Sequence, residues 1–368
     1  YRFEPTYTSC PVCSPARGTI MTGLFPHAHG ICSNVHNLGC SVHELRDRPA
    51  LLSRRLQSAG YRCGYSGKWH LGTDKDEIFH GPNDPSLPRD VGFEGQNFPG
   101  HGGGGFKYPE YQDYLGRNGW EHRVRPAPGP DPASGGALLE GPIESTVPYF
   151  LAENTIGLLD RFRADDDSFF IWHNFWGPHG PYYATEEFFD LYRDADIPEW
   201  RSFRWDARSI NRPHQVKLHP EAEELSWENW AQSIRHYYAF ASLIDSQIGR
   251  IIDHLEETGL KKDTIIVFCA DHGETLGTHG GLTDKGWHHF EEIQRIPMIF
   301  WIPPKLRAEN RGGGQVITEW AHLTDLYPTL LETAGVEWNE SVVHGRSLWP
   351  LLRGEDTRWR EAAFVEFN

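Results

Sequence analysis

Short apolar runs alternating with longer stretches of helical spacing constrain this 368-residue chain more than any other feature. Pro49–Ala59 puts Leu51, Leu52 and Leu56 on one helical face and stops at Gly60, and Tyr61–Ser66 follows as a strand. Tyr149–Arg163 is helical and Ser168–Phe175 is an apolar strand. From about Leu225 to Glu257, a stripe through Ile234, Tyr238, Ala241, Ile244, Ile248 and Ile252 marks a long helix. Thr264–Ala270 and Pro297–Ile302 are further apolar strands, and His322–Thr333 is a helix closed by Gly335. Strands that are apolar on both faces and alternate with helices specify an α/β fold with a mostly parallel central sheet flanked by helices. Residues 80–145 are rich in Gly and Pro, include four successive glycines at 102–105, and carry little periodicity; they are expected to form a long excursion from that framework.

Charge narrows the function. Thirty-five Lys and Arg against 51 Asp and Glu leave a net charge of −16, which disfavours a nucleic-acid backbone or an anionic membrane as partner. No run approaches the length of apolar residues needed to span a bilayer. An anionic substrate then requires a local cluster of cations or a metal. Six cysteines (10, 13, 32, 40, 63 and 269) are too few for a disulfide scaffold and lack paired zinc spacing, although Cys10 and Cys13 form a C-x-x-C that a redox protein could use. Twenty His and 14 Trp are the unusual counts, the first suited to metal binding and proton transfer and the second to flat apolar contact.

The polar residues that could act together follow strands. Pro11–Gly23 reads PVCSPARGTIMTG: Pro15 suits the first turn of a helix ending at Gly23, which puts Cys13 at its positive end with Arg17 one turn on. A group made from Cys13 is therefore favoured as an anion. Lys68 and His70 follow the strand Tyr61–Ser66, His179 follows Ser168–Phe175, and Asp271 and His272 follow Thr264–Ala270. Open α/β sheets place their sites beyond the carboxyl ends of strands, so these sets are expected to converge. Lys285 lies after the Asp271–His272 pair and before the acidic segment at Glu291.

C-x-P-x-R at Cys13–Arg17, followed by Thr22–Gly23, resembles the signature of the type I sulfatases of the alkaline phosphatase superfamily, in which the cysteine is oxidised to formylglycine. A second element of that family stands at Gly60–His70, GYRCGYSGKWH, with Cys63 where Ser or Thr is usual. The resemblance implies a single sulfatase-like domain over 1–368, beginning after the family's first strand and ending before its small C-terminal subdomain. It implies sulfate-ester hydrolysis with formylglycine at position 13, made by a formylglycine-generating enzyme. Hydrated to a geminal diol, that group would attack sulfur with one hydroxyl and expel sulfate with the other. Lys68, His179 and Lys285 would clamp the sulfate, His70 and Arg17 would serve the hydroxyls, and His179 or Lys285 would protonate the leaving alcohol.

Position 13, Asp271 and His272 resemble half of a divalent-metal site, usually calcium. His272 stands where Asn is commoner, which leaves magnesium or manganese open, and the family's other ligands are an Asp pair upstream of the signature. A carbohydrate sulfate is the favoured substrate, with Trp172, Trp176, Trp287 and residues 98–106 as sugar-stacking surfaces. No nucleic-acid or membrane partner is expected, and relatives suggest export to the periplasm, lysosome or exterior. The alternatives are a phosphonate monoester or phosphodiester hydrolase of the same superfamily, which tends to lack the Lys68–His70 pair, and a non-catalytic glycan-binding relative.

Overall fold

The computed structural model describes residues 1–37, 39–73, 85–205, 224–285, 288–309, 311–355 and 357–367. Its strands are β1 (Arg2–Phe3), β2 (Thr6–Tyr7), β3 (Arg62–Gly67), β4 (Glu94–Gly95), β5 (Arg123–Arg125), β6 (Gly136–Glu140), β7 (Phe169–Asn174), β8 (Tyr182–Ala184), β9 (Ile266–Cys269), β10 (Met298–Trp301), β11 (Val316–Ile317) and β12 (Ala321–His322). They pair in the orders β11-β1-β10-β9, β12-β2, β4-β3-β7 and β5-β6-β8. Each apolar run of the sequence has become a strand, and the long helical stripe is the helix Trp227–Glu257.

Most strand pairs are parallel, as expected, with antiparallel exceptions at β10 and β5. β3 runs parallel to both β4 and β7, in register from Arg62↔Phe169 to Gly67↔Asn174. β10, however, is antiparallel to both β1 and β9, so the second sheet is mixed. A parallel return needs a crossover with a helix long enough to span the sheet. Among the described residues between β9 and β10 only the single turns Thr278–Gly281 and Glu291–Gln294 are helical, so the strand comes back the other way. An apolar run reports burial, not direction.

The helix Cys13–Thr22 is buried at all ten positions and ends at Gly23, in the left-handed conformation with its N–H bonded to Thr19 O, as the spacing requires. It lies between two cores. One gathers Leu52, Leu56, Tyr65, Trp69, Phe93 and Leu331; the other gathers Phe3, Ile20, Met298, Phe300, Ile317 and Leu326. The Gly/Pro-rich stretch is more ordered than its composition suggests: it contains the helix Pro109–Asn118 and, in β5 and β6, two strands of a small sheet that β8 completes. Tyr108, Tyr111 and Leu115, spaced three and four apart with Pro109 at the helix start and Gly119 as its stop, were the available signal. No described helix is long and apolar enough to cross a membrane.

One glycine holds the two strands that frame the site. Gly67 has φ +104°, and a Cβ there would sit 1.8 Å from Asn174 O, the atom that accepts the Lys68 N–H at 3.0 Å. Both the conformation and the space exclude a side chain. Gly67→Ala is expected to lower the unfolding free energy by about 3 kcal/mol or more, read from a urea midpoint; a wild-type midpoint would refute this account of the strand pair.

Candidate active site

The segments named from the sequence do converge. Cys13 opens its helix, with Val12 as the N-cap. Lys68 Nζ and His272 Nε2 each lie 3.2 Å from Cys13 Sγ. His272 Nδ1 is 2.7 Å from Gly273 O, and since a carbonyl only accepts, that nitrogen carries a proton and the Nε2 position turns to the site. On the other side, Lys285 Nζ is 3.0 Å from His179 Nε2 and donates to Asp284 Oδ1 at 2.8 Å. His179 Nδ1 donates to Gly180 O at 2.7 Å, so neutral His179 receives the lysine proton on its Nε2 lone pair. His70 sits in the left-handed region at φ +53°, an unfavourable conformation for a residue with a Cβ. It is fully buried, and its Nε2 is 3.3 Å from His36 Nδ1.

Arg17, one turn into the same helix, is buried. Its guanidinium donates to Lys68 O at 2.7 Å and lies 3.3 Å from Asp271 Oδ2. It therefore ties the loop after β3 to the loop after β9. Tyr65 OH also donates to Lys68 O and accepts from Asn174 Nδ2 at 3.0 Å. Arg17 thereby positions the groups around Cys13.

Charge is concentrated here, and its pattern is uneven. Burial alone would push the Cys13 thiol up, but Lys285, Lys68 and His272 together hold it well below the ordinary thiol value. Burial lowers Lys68, opposed by Cys13. Lys285 resists the same burial because Cys13 and Asp284 raise it. His272 is raised despite burial by Asp271 and Cys13, whereas burial pushes His70 down to about 3 and, aided by Lys285, His179 down to about 4. Asp271 is held low by His272 and Arg17 against its burial. Cationic charge is thus favoured on Lys285 and disfavoured on His70 and His179, which are neutral.

One donor atom each from Cys13, Asp271 and His272 lies within 4.8 Å of the others, the one such group of three found among the described residues. A carboxylate, an imidazole with its second nitrogen bonded to a carbonyl, and an anionic group at position 13 fit a divalent cation.

The structure also brings in residues that the sequence reading passed over. Asn34 Oδ1 accepts the Ser14 N–H at 3.2 Å, Asp284 anchors Lys285, His36 stacks on His70 and His101 meets His70 edge-on. All come from aperiodic loops; the only sign for His101 was the glycine run beside it. Two of the expected sugar platforms pack against the core. Trp172 packs edge-on to Tyr65 and Trp69, and Trp176 is buried against Tyr108, both as core. Trp287 lies outside the described residues. All six cysteines are free thiols, and burial raises Cys10 while Cys13 is lowered.

The family model described as Sulfatase matches residues 1–336. The chain belongs to the sulfatase family. It is 30% identical to a choline-sulfatase of Rhizobium meliloti, a match covering 96% of this chain and 64% of that protein. It is 27% identical to an N-acetylglucosamine-6-O-sulfatase of Bacteroides thetaiotaomicron over 100% of this chain and 67% of the other. In fold, this sulfatase-family chain is similar to a phosphonate monoester hydrolase of Agrobacterium radiobacter, with a TM-score of 0.80 at 24% identity, covering 100% of this chain and 73% of that one.

Proposed function

We propose that this chain hydrolyses sulfate esters, with position 13, matured to formylglycine, as the nucleophile. The observation that carries the reading is Cys13 Sγ held at 3.2 Å from both Lys68 Nζ and His272 Nε2, with Asp271 beside it. A sulfate ester repels nucleophiles through its own oxygens, so catalysis rests on fixed positive charge. Lys68 supplies it beside the nucleophile and Lys285 beyond it. The proton for the departing oxygen rests on Lys285 and passes through His179 Nε2, 3.0 Å away. Cys13 is the strongest influence raising Lys285. Conversion of the thiolate to an uncharged aldehyde removes that influence and makes the ammonium a better acid. His70, kept neutral, serves the hydroxyls of the hydrated aldehyde. Asp271, His272 and position 13 would hold a divalent cation, calcium or magnesium, which would supply charge that acidifies a hydroxyl and draws electrons from sulfate oxygen.

The substrate class is a carbohydrate sulfate, a reading supported by the likeness to the N-acetylglucosamine-6-O-sulfatase. A phosphonate monoester or phosphodiester is the second reading, favoured by the hydrolase of similar fold. Lys68 beside Cys13, paired with His70, favours sulfate. The test is the mass of the Cys13 peptide from chain co-expressed with a formylglycine-generating enzyme, with turnover of matched aryl sulfate and aryl phosphonate. The peptide is expected to be about 18 Da lighter than the thiol form, and sulfate is expected to turn over faster. An unchanged thiol, or faster phosphonate turnover, defeats the reading.

A further inference from the structure

We infer that His101, delivered by the Gly-rich stretch, is a further ligand of the sulfate group, contacting a non-bridging oxygen between the nucleophile and the leaving group. This rests on the proposed reading, in which sulfur lies between position 13 and the His179–Lys285 pair. The His101 ring is 5.0 Å from that of His70 and 5.0 Å from that of His179, edge-on to both. In an in-line displacement the attacking and departing oxygens define an axis, and groups beside the axis face the three other oxygens. His70 stands at the nucleophile's end and His179 at the other. A ring bridging the two lies beside the axis.

The loop is built to hold that ring. Trp176 Nε1–H donates to His101 O, and Gly105, at φ +90°, packs where a Cβ would come 2.8 Å from the Trp176 ring. Phe98 and Tyr108, on either side of the segment in sequence, pack with tilted rings whose centroids are 4.0 Å apart. Burial and Lys68 keep His101 below the ordinary imidazole value. A neutral imidazole can offer sulfate an N–H without adding a further cation to the site, and sulfate oxygens only accept.

Two substitutions separate donation from packing: His101→Phe keeps a ring of similar shape, and His101→Asn restores an N–H. Inorganic sulfate is titrated calorimetrically, with calcium present, into the chain carrying Cys13→Ala, which needs no maturation. Loss of one hydrogen bond to a charged group is expected to weaken sulfate about 10- to 100-fold in His101→Phe, with part of the loss recovered in His101→Asn. Equal affinity in His101→Phe, or no sulfate binding with His101 intact, overturns the inference. In matured chain, the kcat/KM deficit of His101→Phe is expected to be the same for good and poor leaving groups; a deficit that grows with leaving-group pKa assigns His101 to the leaving oxygen instead and also overturns it. Absence of sulfate-ester turnover in matured wild type, with the sulfate-binding difference intact, defeats the proposed function and leaves His101 as a sulfate ligand.

Discussion

Lys68→Ala is expected to lower kcat/KM for an aryl sulfate by about 1,000-fold or more, the scale of losing a preorganised charge in a water-excluded site. The side chain is 2% exposed and its Nζ is 3.2 Å from position 13, so water cannot stand in for it without rearrangement. Folding should not suffer in proportion. Burial and Arg17 both work against the Lys68 ammonium, so its removal relieves desolvation and like-charge repulsion. The same variant has a second readout in unmatured protein. Lys68 is among the groups that hold the Cys13 thiol low, so thiolate absorbance followed against pH should show the thiol titrating at a higher value than in wild type. Undiminished turnover would remove Lys68 from the chemistry, and an unmoved thiol would mean that Lys285 and His272 suffice to hold the anion.

Acid is expected to unfold the chain steeply below about pH 6.5, for reasons that lie away from the site. His29, His236 and His322 are 3%, 0% and 1% exposed. Burial pushes their values down to about 3, about 4 and about 3 respectively. In the unfolded chain each is an ordinary imidazole. Between the unfolded and folded values the unfolded state binds protons that the folded state refuses, so stability rises with pH and is lost as pH falls through this window. Three such groups give a slope of about 4 kcal/mol per pH unit once the unfolded imidazoles are protonated. Against the usual 5 to 15 kcal/mol of total stability, about two pH units suffice. Urea midpoints between pH 7 and pH 5, with proton uptake on unfolding, measure this directly. A flat profile, or uptake well short of three protons, would contradict it.

The histidine count, conspicuous in the sequence, thus has two explanations that composition could not separate. His70, His179 and His272 belong to the site, whereas His236 is core, packed on Phe189 with neither ring nitrogen hydrogen-bonded. His322 is structural in another way, bonded from Nδ1 to Thr324 and from Nε2 to Phe364 O. Tryptophan divided similarly: Trp172 and Trp176 were candidates for sugar contact and proved to be core.

What the sequence by itself determined about this chain is local. Periodicity marked the helix Trp227–Glu257 and the strands β3, β7, β9 and β10, because the face a segment buries is written in its spacing. The segment from Pro11 to Gly23 specified a helix with Cys13 at its start, since Pro and Gly act on their own backbone. Strand-end placement grouped Lys68, His70, His179, Asp271 and His272, which do meet, although β3 and β7 belong to one sheet and β9 to another. The tertiary structure alone decided that β10 runs antiparallel, that Arg17 joins Asp271 to the Lys68 carbonyl, that burial keeps His179 neutral, and that His101 reaches the site. Strand direction, ion pairing and protonation depend on neighbours brought from far along the chain, and loops carry no periodicity from which those neighbours could be read.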